Sequence, residues 1–401
     1  MRRHVLAFRI LVLSLAVVIS LASMVSLALP VAAAPSEVWV DDDFDPGTSG
    51  WGTTHFNTIQ AGAIAVDAGG TVHVAAGTYT VSLVIAKALT LEGAGRDVAT
   101  VNTADENASV FRVTADYVNI SGFTIQGATG GGTIAVAGIN LEGADYCTFS
   151  NNNATGNLVG IALATSNHVT VTNNIADSNL YIGIYLQDGC TNNNIEDNTC
   201  NSNEMHGIHL IDNCIHNTIQ NNTATLNGNS GLCLVDSCDN NTIAGNTFSN
   251  NSFDDGVTVN GHGISMKGSG DNIISGNTLN ANLLDGMLVD EGSNSNVIQN
   301  NTANSNQVDG FILGDSSNGN LLDSNTADAN GYAGIKLQLS NNCIVQNNQT
   351  NSNLSGGIYL LSSSGNTVTG NTANSNTKDG IWLDQVSNGN ALTSNNVDRQ
   401  R

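Results

Sequence analysis

Gly183-Ile184-Tyr185-Leu186, followed shortly by Asn194-Ile195-Glu196-Asp197-Asn198-Thr199, is the stretch that decides the fold. The same phrase returns along the chain. Its glycines fall at Gly138, Gly160, Gly183, Gly207, Gly231, Gly263, Gly286, Gly310, Gly334, Gly357 and Gly380, at steps of 22 to 24 residues with one of 32. A period in this range marks a stacked repeat. Within each repeat, Ile184 and Leu186 alternate with Tyr185, and Ile195 sits between polar neighbours. Such short alternating runs, separated by Asn, Gly and Ser, are strands and not helices. The two outer residues of Ile-x-Leu point inward and x points outward. Coils of this length with two or three strands each predict an all-β, right-handed parallel β-helix of about 13 coils, about 60 Å long at the usual inter-strand spacing. A leucine-rich horseshoe shares the period but needs L-x-x-L-x-L and a helical half-repeat, and both are absent.

Asn198, Asn222, Asn246, Asn277, Asn301, Asn325 and Asn371 share one bend of the repeat. Asparagine tolerates the left-handed conformation, and stacked amides can bond one another in a ladder. Of the seven cysteines, Cys190, Cys214 and Cys238 each lie seven residues after a motif glycine. One coil apart, they are either a buried thiol ladder or within reach of a disulfide.

Upstream, Val38-Trp39-Val40 reads as a first strand. Thr58 to Ala68 carries apolar residues at helical spacing behind a capping residue, which predicts a short helix closing the first coil. Thr58-Ile59-Gln60, the Val72 to Tyr79 strand and turn, and Leu89-Thr90-Leu91-Glu92-Gly93 together resemble the N-terminal region of pectin-lyase-like β-helix proteins. Residues 35–137 are therefore read as cap and first coils, and 138–401 as the regular array. The array itself resembles the β-helix repeats of the NosD-like, carbohydrate-binding-and-sugar-hydrolase group. That resemblance implies a fold shared with polysaccharide lyases, hydrolases and epimerases, and a link to periplasmic copper handling.

Residues 1–34 read as an export signal: Arg2-Arg3, an apolar run from Ile10 to Leu29, and a small-x-small end at Val31-Ala32-Ala33. Left uncut, the same run is long enough to anchor the chain in a membrane. The expected location is secreted, periplasmic or cell-surface. The chain carries 34 acidic against 11 basic residues, a net charge of −23. Such a surface repels nucleic acid and anionic lipid. The sequence stops in mid-coil at Asn395 to Arg401. A polar tail that blunts the edge, end-to-end self-association and a fragment are the three readings of that end.

Chemistry is sought where the fold leaves positions free. The outward x row reads Asn140, Ala162, Tyr185, His209, Cys233, Ser265, Leu288, Ile312, Lys336, Tyr359, Trp382. Its aromatic and polar members, Tyr185, His209, Lys336, Tyr359 and Trp382, suit sugar rings as an exposed platform. The 32-residue step holds Asp254-Asp255 and Gly261-His262-Gly263. These resemble the acid/base residues of polygalacturonase-type glycosidases, which implies Asp254 and Asp255 as acid and base with His262 in support. Lyase chemistry lacks a companion arginine, since residues 97–398 contain only Arg112.

Asp188, Asp212 and Asp236 share one turn phase (with Glu291 and Asp315) and would suit Ca²⁺. Met205, His206, His209, Cys214 and His216 offer copper ligands. Strict alternation, however, places His206 and His209 on opposite faces of their strand. The reading that results is an exported β-helix whose lateral face binds a polysaccharide or cell-surface glycan. A polysaccharide hydrolase and a periplasmic copper- or metal-handling module are the alternatives.

Overall fold

The computed structural model describes residues 33–131, 136–254 and 259–398. The predicted leader, residues 1–34, falls almost wholly outside them. From Pro35 on, the chain is a parallel β-helix with the predicted number of coils. Two long sheets run its length. One has 16 strands, from His55–Phe56 to Ala391–Thr393, and the other 13, from Leu83–Ile85 to Ile381–Leu383. Successive coils pair in parallel and in register, Ile184 with Ile208 and Ile195 with Ile219. A third face begins as a four-stranded sheet and continues as single bridges, Thr199–Thr223–Thr247–Thr278 among them.

Register follows from burial. Ile184, Leu186, Ile208, Leu210 and Ile195 are fully buried in one continuous core, so a one-residue slip would expose the whole inward set. The first coil is closed by the helix Ile59–Ala65, capped by the Thr58 side chain on the Ala61 N–H. Its Gly62 lies against Val40 and Val72, so the helix shields the open end of the core.

The asparagine ladder is present and more extensive than the sequence suggests. Asn198 Nδ2 donates to Asn222 Oδ1 at 3.1 Å and to the Val171 carbonyl at 2.8 Å. Asn222 repeats this with Asn246 and Ile195. A second ladder runs through Asn179, Asn203, Asn227 and Asn251. The ladder asparagines are not themselves left-handed. That conformation belongs to the preceding residue, Asp197 at φ 55° and Asn221 at φ 54°. The turn needs one left-handed residue, and the inward-facing amide follows it.

All seven cysteines are free and buried. Cys190, Cys214 and Cys238 form a thiol ladder, each Sγ donating to the carbonyl three residues earlier, Gln187, Ile211 and Val235.

The 32-residue step is an antiparallel hairpin, Phe253 pairing with Asn260 and Asp254 with Val259. Its tip, 255–258, lies outside the described residues.

Candidate functional site

The outer face of the 13-stranded sheet does not alternate as predicted. Ile182 pairs with His206, the two glycines are passed over, and pairing resumes at Ile184–Ile208 and Tyr185–His209. Ile182 and Tyr185 lie together in a small cluster outside the main core, with Ala137, Val159 and Ala162. Each motif glycine is thus a bulge. A Cβ on Gly207 would point inward, overlapping Ala224 Cβ and lying 2.9 Å from Asn227 Nδ2. Because the glycine and the isoleucine after it both turn inward, the positions on either side of that pair, His206 and His209, both turn outward. The outer face therefore carries two rows: the predicted x row, and a second row formed by the residue before each glycine. In the second row stand Ile182, His206, Ser230, His262, Asp285 and Asp309.

This corrects the expectation for His206 and His209. They face the same side, ring centroids 4.8 Å apart, with the Tyr185 ring 5.4 Å beyond His209. Cys233 pairs with His209 in the next coil. Candidate ligand atoms of His206, His209 and Cys233 lie within 4.8 Å of one another. Among the described residues, His206 Nδ1 and both His209 ring nitrogens are buried without a hydrogen-bond partner. Burial pushes the His209 imidazole down to about 4. It also pushes His206 well below the ordinary histidine value, with the nearby His209 and His262 adding to the effect. Both rings are neutral at pH 7. Cys233 is raised to about 12, chiefly by burial.

Farther along the second row, His262 Nδ1 stands 3.3 Å from Asp285 Oδ2. Asp285 Oδ1 accepts the Asp309 N–H at 2.9 Å, and Asp309 Oδ1 accepts the Ala333 N–H at 2.9 Å. Asp309 Oδ2 has no partner among the described residues. Burial, and then the charge of Asp285, raise the Asp309 carboxyl to about 7.

The x row ends in an aromatic group. Tyr359 lies 5.7 Å from Tyr332 and 5.6 Å from Trp382 between centroids, and Lys336 Nζ sits 5.7 Å above the Tyr332 ring. Tyr332 and Trp382 are 38% and 41% exposed. The predicted aromatic platform is narrower than expected. Tyr185 is buried at 3% and Tyr359 at 5%, because the second row and its preceding turn close over them. Tyr359 also shares a hydrogen bond with Ser355 at 3.0 Å.

The remaining predicted positions separate. His262 stands beside Asp285. Asp255 is outside the described residues, and Asp254 is described only in its backbone. Asp188, Asp212 and Asp236 are exposed at left-handed turn positions, φ 56°, 59° and 57°, where a short polar side chain suits the backbone. Cys214 is interior, and His216 sits on an outer turn at φ 57°. Sequence reasoning missed Asp285 and Asp309, and placed Cys233 in the outward x row without naming it as a site residue. For the two aspartates the signal was there in the residue before each glycine, but alternation assigned that position to the inside.

Comparisons with known proteins agree with this architecture. A family model described as periplasmic copper-binding protein (NosD) matches residues 57–256. One described as right handed beta helix region matches residues 244–398. The chain belongs to the right-handed parallel β-helix repeat family. No curated protein matches this β-helix by sequence. Among solved structures, it is similar to the A-module of a mannuronan C-5 epimerase from Azotobacter vinelandii. The TM-score is 0.60 at 15% identity, covering 83% of this chain and 92% of that one. It is also similar to the catalytic unit of a thermostable GH87 α-1,3-glucanase from Streptomyces thermodiastaticus. There the TM-score is 0.68 at 18% identity, covering 91% and 70%. At such identities the likeness is one of fold. No helix among the described residues is long and apolar enough to cross a membrane.

Proposed function

We propose that this β-helix is an exported protein that binds a polysaccharide along its outer face, at the end carrying Tyr332, Lys336, Tyr359 and Trp382. The observation that carries the reading is the exposed Tyr332–Trp382 edge with its adjacent cation. Aromatic faces beside a single polar handle suit pyranose rings, which present C–H bonds on one side and hydroxyls at the rim. The strong negative charge favours neutral glycans, or anionic ones only with a bridging divalent cation. The architecture is one also used by the epimerase and glucanase above, which supports testing mannuronan and α-1,3-glucan first. Binding is read by calorimetry on defined oligosaccharides. Loss of affinity in Trp382→Ala with an unchanged melting temperature supports the reading; equal affinity in both proteins removes it.

A second reading, hydrolysis, is favoured by one observation: the Asp285–Asp309 carboxyl pair beside His262. A carboxyl raised to about 7 by burial holds a proton that it can give to a glycosidic oxygen. A neighbouring carboxylate can act as base or nucleophile on the anomeric carbon. Release of reducing ends from either glycan, abolished in Asp309→Asn, supports this reading. No release from any glycan tried, at enzyme concentrations that saturate binding, counts against it.

A further inference from the structure

We infer that His206, His209 and Cys233 form a binding site for one copper ion. The site is independent of the glycan reading, lying several coils from Trp382, and either can stand without the other.

Three features converge. The bulge at Gly207 turns His206 and His209 to one side of the strand His206–Ile211, and the parallel register sets Cys233 next to His209. No other set of three His, Cys, Asp or Glu donors among the described residues comes within this mutual range. Three of the four imidazole nitrogens are also orphaned. A core that buries a polar ring usually gives it a partner. Here His206 Nδ1 and both nitrogens of His209 have none among the described residues. Hydrogen-bonding residues are plentiful in this chain, as the asparagine ladders show, so these rings stand out against their surroundings.

The donor set selects the ion. Two imidazoles and a thiol, with no carboxylate, are poor ligands for Ca²⁺ or Mg²⁺, which take oxygen. Two histidines and one cysteine in a trigonal arrangement are a copper set, and the sulfur favours the soft cuprous ion in particular. Around one ion in a trigonal site, with bonds of about 2.0–2.3 Å, donors lie roughly 3.5–4 Å apart. The observed span of 4.8 Å therefore closes by about 1 Å when the side chains rotate onto an ion. Copper also appears in the description of the family model that covers these residues, but that description names no ligands; the geometry does.

The test uses the full chain, reduced, titrated anaerobically with Cu(I) against a chromophoric chelator. The variants are Cys233→Ser, His209→Gln and Cys214→Ser. Serine fits the Cys233 position, because Ser265 occupies the same place in the next coil, and circular dichroism checks the fold. The expected result is one copper per chain, with affinity reduced on the order of 100-fold in Cys233→Ser and His209→Gln. Cys214→Ser, a change in the interior thiol ladder, should bind as the wild type does. X-ray absorption of the loaded protein should show both sulfur and imidazole ligands. Three outcomes overturn the inference: equal affinity in all four proteins, loss of binding in Cys214→Ser alone, or displacement of Cu(I) by equimolar Zn²⁺.

Discussion

His206 and His209 lie with ring centroids 4.8 Å apart on one face of a strand, although three positions separate them and simple alternation would put them back to back. The cause is Gly207. Its missing side chain lets the backbone turn inward between the rings, over Ala224 and beside the Asn227 amide. The same bulge recurs along the array and sets up the second outward row, in which His206, His262, Asp285 and Asp309 stand.

Gly207→Ala should therefore be costly. The added Cβ overlaps Ala224 Cβ and lies 2.8 Å from the Gly231 carbonyl oxygen. A loss of about 1–3 kcal/mol is expected from overpacking. Gly189→Ala makes the contrast: its Cβ meets nothing within 4 Å, and only φ 78° opposes it. That substitution should cost about 1 kcal/mol. Urea midpoints of the two variants check the order, and an equal loss in both would refute the inward bulge.

The asparagine ladder should be the most sensitive polar feature of the core. Asn222 donates to Asn246 Oδ1 at 3.0 Å and to the Ile195 carbonyl at 2.8 Å, and its Oδ1 accepts from Asn198. Asn222→Leu leaves buried donors and acceptors on both neighbours unsatisfied, at about 1–3 kcal/mol for each group stranded. Exposed Asn221 one position earlier should tolerate Gly with little change, because its left-handed backbone suits glycine. Thermal melts of the two variants should differ widely.

Asp309 gives the stability a pH dependence of known sign. Its folded value, about 7, lies above the ordinary unfolded value near 3.9. The folded state therefore binds the proton more tightly. The stabilisation is fully present below about pH 4 and is lost as pH rises through about 7. The span is at most roughly 4 kcal/mol. Asp309→Asn should remove this slope, so that variant and wild type converge at low pH and separate in the variant's favour at pH 8. Parallel stability curves from pH 4 to 8 would exclude the effect.

Tyr185 and Trp382 should separate packing from binding. Trp382→Ala is expected to weaken glycan affinity on the order of 10-fold or more and to leave the fold intact. Tyr185 is buried, so Tyr185→Ala should lower stability by about 2–4 kcal/mol with glycan affinity unchanged. Paired calorimetry and melting curves read both quantities.

Thiol titration checks the cysteine ladder. All seven cysteines are free and buried. A thiol reagent should find almost none in the folded protein and seven per chain in denaturant without reductant. Five would indicate a disulfide.

The period of the glycines and the inward Ile-x-Leu pairs determined the coil, the core and the register by themselves. A stacked repeat buries the same positions in every coil, and one copy reveals all. The capping helix was also legible, from the spacing of its apolar residues and from Thr58. What only the tertiary structure decided was which way the residue before each glycine points. A bulge is a local departure from alternation, fixed by contacts with the next coil: Ala224 and Asn227, some 17 and 20 residues beyond Gly207. Those contacts bring His206 to His209 and Cys233, and the equivalent contacts of Gly263 with Phe248 and Asn282 accompany the His262–Asp285 approach. The x row was readable one residue at a time, but its burial depends on the row beside it, which exists only once the coils are stacked.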